Sequence, residues 1–286
     1  MPIVSIILPT YNRSLFIKSA IQSALEQTYA DYELIVVDDG STDDTVSLVK
    51  EFTDDRLIYV AHNQNKGAAA ARNTGMRLSR GQYIAFLDSD DTWHRQKLEK
   101  QIQFLMSQPE LGGCVTSYRL VFEKYSIIRE VLIEDDFYKQ SLRGCNLSPG
   151  TTLLFRKDCL EKVGFQNEIL KRFEDWEWQI RFARCYKWQR VPVVLADIRA
   201  GHTVNFKTVK HALCLFENLI TEVSVKNKKI IKMAIYYELF YAACKSFLWK
   251  SALNYFVKSL LSNPVNFMCL LSSLIKRKVK EFFKIG

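Results

Sequence analysis

Neither of the two common glycine-rich phosphate cradles occurs in this chain: there is no G-x-G-x-x-G and no G-x-x-x-x-G-K-[ST]. A diphosphate bound here would therefore need a metal ion. No run of ~18 uninterrupted apolar residues exists, so no spanning helix is expected. The seven cysteines are odd in number and scattered, with no Cys-x-x-Cys pair. That argues against a disulfide framework or a zinc ribbon and for a reducing compartment. The opening Met1-Pro2-Ile3-Val4 has no basic n-region, so no signal peptide is expected and the expected location is cytoplasmic. Of the four histidines, His62, His94 and His211 stand in no context that assigns them a role.

What is present is an ordinary globular composition, 48% hydrophobic and 25% charged over 286 residues. The net charge of +9 is unevenly placed. Residues 207–286 hold 14 Lys and Arg against 4 Asp and Glu, whereas residues 1–206 are close to neutral. A near-neutral body thus carries a basic end.

Strand and helix alternate four times in the first hundred residues. Val4–Leu8 reads as a buried strand left at Pro9, which cannot continue a ladder. Helix follows over about Ser14–Gln27, then strand Glu33–Val37 ending in Asp38-Asp39-Gly40. Ser41 with Asp44 fits a capping box for the next helix. Strand Leu57–Val60, an Ala-rich helix Ala68–Leu78, strand Tyr83–Leu87 and a polar helix about His94–Ser107 complete the series. Such alternation implies βαβ units in a mainly parallel sheet. It places Thr10–Arg13, Asp38–Asp39 and Asp88–Asp91 on one sheet edge as a composite site. Beyond Gly112 the pattern mixes: Cys114–Val121, Thr151–Phe155 and Val191–Leu195 are strand-like, Asp158–Val163 and Glu174–Tyr186 helical, with Gly164 a C-cap. After His202 the pattern is helical.

The apolar strand Tyr83–Leu87 ends in three carboxylates within four positions, Asp88, Asp90 and Asp91. Like charges so crowded repel unless a cation or donors sit among them. A divalent metal on Asp88 and Asp90 is one reading; a solvated loop with Asp91 capping the next helix is the other. Asp39 can accept from a base or a ribose, or serve turn chemistry before Gly40. Tyr11 can stack on a nucleobase, and Arg72 can face a diphosphate or orient the acids. Glu174-Asp175 opens a helix, as general base or as dipole compensation. His202 can complete a metal site or be structural.

Four stretches, Val4–Arg13 (VSIILPTYNR), Glu33–Thr45 (ELIVVDDGSTDDT), Asn65–Gly75 and Tyr83–Trp93 (YIAFLDSDDTW), resemble the family 2 glycosyltransferases of GT-A fold, as do Gly150–Phe165 and Phe173–Trp178. The likeness covers roughly residues 3–205. It implies a Rossmann-like, mainly parallel sheet flanked by helices, with an α-helical C-terminal extension. The expected domains are catalytic residues 1–205, with a nucleotide-sugar half of about 1–110 and an acceptor half of about 111–205, and a basic helical region 206–286. Carried over residue by residue, Pro9, Tyr11 and Arg13 flank the nucleotide, Asp39 binds the base, and Arg72 lies near the diphosphate. Asp88 and Asp90 form the DxD-type pair, Asp90 being the direct ligand of Mn²⁺ or Mg²⁺. Asp175 is the base, Glu174 assists, and His202 stands near the metal.

The implied reaction is inverting transfer of a sugar from a nucleotide-diphosphate donor, a UDP-sugar foremost, to a saccharide or lipid-linked acceptor. The rival is a catalytically silent nucleotide-binding scaffold on the same fold. Two amphipathic helices are expected near the end, one with Leu253, Phe256, Val257, Leu260 and Leu261, the other with Leu271, Leu274, Ile275, Val279 and Phe282. They fit an anionic membrane surface on the cytoplasmic face, a cap on the catalytic domain, or a homo-oligomer contact. Their aromatics fall at core spacing, so nucleic acid is not an expected partner.

Overall fold

The structure, a computed structural model, describes residues 1–144, 150–200, 205–219, 223–268 and 271. The chain divides into two compact units, Met1–Phe137 with Leu147–Gly201, and Tyr138–Asn146 with His202–Gly286.

The first unit opens with β1 (Val4–Thr10), α1 (Ile17–Leu25), β2 (Tyr32–Asp38), α2 (Thr45–Val49), β3 (Leu57–Ala61), α3 (Ala68–Leu78) and β4 (Tyr83–Phe86). β1 pairs in parallel with β2 and β4, and β2 with β3. Apolar residues at consecutive strand positions bury both sheet faces, as parallel sheets require. Ile6 and Leu8 pack with α1 residues Ile17 and Ile21, while Ile7 packs with Met76 of α3 on the other face. A Cβ on Gly75 would strike the Ile7 side chain, so α3 lies on the sheet at glycine distance.

Past this point come β5 (Thr92–Trp93), α4 (Lys97–Met106), β6 (Leu111–Val121), β7 (Ser126–Arg129), α5 (Phe137–Ser141), which from Tyr138 belongs to the second unit, and β8 (Leu154–Arg156). They are followed by α6 (Leu160–Val163), α7 (Glu174–Cys185) and β9 (Lys187–Arg199). The sheet order is β3-β2-β1-β4-β8-β6-β9-β5, with β7 on β6. β8 runs antiparallel between β4 and β6, so the sheet is parallel in its first half and mixed beyond. Aromatic rings fill this second half: Phe155 lies 5.2 Å from Trp178, and Phe182 4.9 Å from Trp188.

Four local expectations are corrected. β1 does not stop at Pro9, whose register partner is Val37. Ile7 O accepts from Leu87 N on the β4 side, and β4 ends one residue earlier at Phe86. Residues 7 and 9 face the same way, so the missing Pro9 N–H falls beyond β4 and costs no ladder bond. Ser41 forms no capping box: its Oγ accepts from Asn12 N at 2.9 Å. Asp43 instead accepts from Thr45 Oγ1 at 2.5 Å, from Thr45 N at 3.0 Å and from Ser14 N at 3.1 Å. Although burial opposes it, these bonds bring its carboxyl down to about 2. Asp91 caps no helix, since α4 begins only at Lys97. The helix anticipated from His94 is shortened because Thr92–Trp93 pairs with β9.

The second unit contains α8 (Phe206–Leu219), α9 (Val225–Lys245) and α10 (Trp249–Ser262). Phe256 packs between Phe240 at 5.4 Å and Phe267 at 5.3 Å, and Ser259 Oγ donates to Met233 O at 2.8 Å. The second amphipathic helix expected near the end, from Leu274 onward, lies outside the described residues.

Candidate active site

Parallel register puts the carboxyl ends of β1 and β2 side by side, with Thr10 opposite Asp38, and Leu87 leads from β4 into the acidic loop along the same edge. After β1 the chain turns through Asn12 at φ +50°, a left-handed position that Asn tolerates. Asn12 Oδ1 accepts from Thr42 N at 2.8 Å and Arg13 N donates to Thr45 Oγ1 at 2.8 Å, so this loop is pinned to the one after β2. Tyr11 stands 41% exposed at its tip. Pro9 is buried in the strand just before it.

Asp38 and Asp39 take different parts. Asp38 accepts from Ser41 N at 2.9 Å and from the Tyr59 hydroxyl at 2.9 Å, which makes it a loop anchor. Asp39 Oδ1 accepts from Lys66 N at 2.9 Å and meets His62 Nδ1 at 2.7 Å; Oδ2 accepts from Gly67 N at 2.7 Å. His62 Nε2 lies 2.9 Å from Thr74 Oγ1. His62 was given no role from sequence, yet it orients the Asp39 carboxylate. No local pattern marks it; only the end of β3 beside β2 brings it there.

The acidic loop and the start of α7 meet through Arg72. Its Nη2 donates to Asp88 Oδ1 at 2.8 Å and its Nη1 to Glu174 Oε1 at 3.1 Å. Although burial disfavours its charge, Asp88 and Glu174 together raise the Arg72 pKa. The Glu174 carboxyl is raised above its ordinary value by burial and by the neighbouring Asp175, with Arg72 opposing. Asp175 Oδ1 accepts from Trp176 N at 2.8 Å, in the first turn of α7 where the dipole favours negative charge. Phe173, just before the helix, sits at φ +66°, a strained setting for a bulky residue. Its ring packs edge-on against Trp176 at 6.0 Å, which holds the turn that presents Glu174 and Asp175.

Asp90 Oδ2 lies 3.6 Å from Arg13 Nε, which joins the β1 loop to the acidic loop. Asp91 points inward, only 4% exposed. It accepts from Thr151 Oγ1 at 2.5 Å and from Arg199 N at 3.0 Å. Burial, then the charges of Asp88 and Asp90, push its carboxyl up to about 8. Thr151 Oγ1 also accepts from Asp88 N at 3.1 Å, so one hydroxyl ties the loop at both ends. His202 lies outside the described residues. Among the described residues, no three His, Cys, Asp or Glu side chains are grouped to hold a metal by themselves.

Side-chain contacts thus form two groups, Arg72 with Asp88 and Glu174, and Arg13 with Asp90, and Asp175 follows Glu174 in the first turn of α7. Asp39 and His62 sit farther along the edge. An exposed aromatic, two guanidinium groups and a hard-oxygen loop are suited to a nucleotide with phosphates. The acids of α7 stand across Arg72 from that loop.

Comparison with known proteins accords with this. The profile described as Glycosyl transferase family 2 matches residues 5–164. The putative teichuronic acid biosynthesis glycosyltransferase TuaG of Bacillus subtilis is 38% identical over 152 residues, covering 50% of this chain and 60% of its own. The UDP-Glc:alpha-D-GlcNAc-diphosphoundecaprenol beta-1,3-glucosyltransferase WfaP of Escherichia coli is 37% identical over 163 residues, covering 54% and 62%. The chain therefore spans about 60% of the length of these curated relatives. S. aureus TarS 1-349, solved in complex with UDP, superposes with a TM-score of 0.68 at 18% identity, over 92% of this chain and 81% of its own. The mannosyltransferase PcManGT of Pyrobaculum calidifontis, solved with GDP-Man and Mn²⁺, does so at 0.62 and 20%, over 92% and 87%. At such identity both show the fold alone.

Proposed function

Since the chain belongs to the family 2 glycosyltransferases, we propose that it moves a sugar from a UDP-sugar to a hydroxyl of a lipid-linked or saccharide acceptor, with inversion. The observation that carries this reading is Arg72, which holds the acidic loop after β4 and the acids opening α7 in one site. The named donor and acceptor of WfaP and the UDP in TarS support the donor and acceptor classes. Residues 1–205 are the catalytic part in this reading, about 1–110 taking the nucleotide and about 111–205 the acceptor.

Tyr11 stacks on the base and Asp39, oriented by His62, accepts from its edge. Pro9 sets the direction in which the Tyr11 loop leaves β1. Arg13 and Arg72 face the phosphates. Asp88 and Asp90 would hold a divalent cation, Mn²⁺ or Mg²⁺. The donor set fits: hard carboxylate oxygens crowd the loop, the charges of Asp88 and Asp90 adding to burial in raising the Asp91 carboxyl, and a cation shared with phosphates needs only one or two protein carboxylates. Held there, an ion would supply positive charge against the charge growing on the leaving diphosphate. His202 is the remaining candidate ligand.

Asp175 takes the proton of the acceptor hydroxyl as that oxygen bonds to the anomeric carbon. The bond from that carbon to the diphosphate oxygen breaks on the opposite face, and the nucleoside diphosphate departs with the electron pair. One displacement inverts the centre and needs no enzyme nucleophile. Glu174 and Arg72 hold the start of α7 in place. Asp175→Asn is expected to slow transfer about 10²–10⁴-fold, with donor binding by calorimetry unchanged. Near-normal turnover in that variant overturns the assignment.

A further inference from the structure

The sequence places Leu253, Phe256, Val257, Leu260 and Leu261 together on one apolar helix face, but the structure divides them. Phe256 packs inward on Phe240 and Phe267, and Ala252 and Ser259 are buried beside it. Leu253, Val257 and Leu261 are 67%, 42% and 74% exposed. With Trp249, these recur every fourth residue and so form one stripe along α10. The following Val265 and Met268 are exposed too. At the head of the stripe, Phe247 holds the left-handed region at φ +57° while 78% exposed, its ring edge-on to Trp249 at 6.3 Å. That turn closes α9, with Phe247 N donating to Cys244 O and Leu248 N to Ala243 O, and it leaves the Phe247 ring in solvent beside the stripe.

Along the chain, the sequence that holds the stripe carries charge of one sign. Between Glu238 and Glu281 there is no acidic residue, whereas Lys245, Lys250, Lys258, Lys276, Arg277, Lys278 and Lys280 fall in that stretch. A second copy docking on the stripe would bring like charges together, and lysine is depleted in protein interfaces. An anionic bilayer accepts both features, apolar side chains below the headgroups and ammonium groups among them, with exposed aromatics at the boundary. No described helix is long and apolar enough to cross a membrane, so the contact is one of lying on the surface. We propose that α10 and the turn before it dock the protein on an anionic lipid surface. This does not rest on the proposed transfer reaction, because lipid binding is measured without donor or acceptor and either can fail alone.

The test is co-sedimentation of the full chain with phosphatidylcholine vesicles and with mixed phosphatidylcholine–phosphatidylglycerol vesicles. Wild type is expected to pellet with the anionic vesicles, less at high salt. Leu253→Ser/Leu261→Ser is expected to reduce partitioning about tenfold or more, and Lys250→Glu/Lys258→Glu to reduce it on anionic vesicles. Both pairs lie on the surface and should leave thermal unfolding unchanged. Absence of wild-type binding, equal binding to both vesicle types, or indifference to the Leu253/Leu261 change overturns the proposal. So does a wild-type dimer by light scattering that the same change converts to monomer, which assigns the stripe to a second copy.

Discussion

Replacing Arg72 with methionine keeps most of the side-chain stem and removes the guanidinium that joins the two acidic segments. The wild-type group makes charge-assisted bonds of 2.8 Å to Asp88 and 3.1 Å to Glu174, with only 11% of its side chain exposed. Breaking a buried pair from one side leaves the partner charges uncompensated, at about 3–5 kcal/mol. For a chain of this size that lowers Tm by roughly 10 °C. The loss is expected to depend on pH. Glu174 already has a raised carboxyl, through burial and Asp175, and Arg72 is what opposes the rise. Without Arg72 the folded state holds that proton to higher pH than the unfolded chain does. A carboxyl raised in the folded state favours folding below its unfolded pKa, and that contribution is lost as pH rises through the folded one. The variant should therefore be nearest to wild type around pH 5 and furthest from it around pH 8. Urea unfolding at the two pH values measures this. A loss below about 1 kcal/mol, or one equal at both pH values, refutes the role given to Arg72.

Asp90→Ala should leave metal-free UDP affinity unchanged and remove the increment that Mn²⁺ adds; calorimetry with and without the ion checks this, and a surviving increment reassigns the ligand. Lys97 is fully buried, its Nζ 2.6 Å from Gln101 Oε1 and 3.9 Å from the centre of the Trp93 ring. Burial lowers its pKa to about 7, while the unfolded lysine keeps its proton to about 10.4. The unfolded state therefore binds more protons between those values, and stability climbs across that window. Lys97→Met should abolish the climb in thermal unfolding followed from pH 7 to 10, with its largest gain over wild type at pH 7; an undiminished slope counts against the burial argument.

Strands β1, β2 and β4 could be read because their residues are apolar at successive positions, a pattern that burial on both faces demands whatever the partner strands are, and the half-buried edge strand β3 shows a weaker form of it. The acidic loop could be read for the opposite reason, since Asp88, Asp90 and Asp91 conflict with the strand they end. β5 and the antiparallel insertion of β8 were not legible. Two residues, Thr92 and Trp93, carry no period, and β8 takes its place from pairing with β4 and β6 across some seventy and forty residues of chain. Pro9 misled because its effect depends on which neighbour its missing N–H would have faced.

The three carboxylates of the loop show why site roles are harder to read than site location. Asp88, Asp90 and Asp91 are the same residue type within four positions, and local chemistry gave Asp91 to a helix end. In the folded chain the three part company: Asp88 turns to Arg72, Asp90 to Arg13, and Asp91 inward to Thr151 and Arg199 N. Each partner arrives from a different element, at separations from 16 residues to more than 100. Asp39 repeats the lesson, since the histidine that orients it sits 23 residues on at the end of β3. A motif marks where charge must collect, because collecting it is costly and needs several residues. Which carboxylate faces ligand and which is spent on the scaffold follows from the neighbours the sheet order supplies, and in this protein Asp91 is spent on the scaffold.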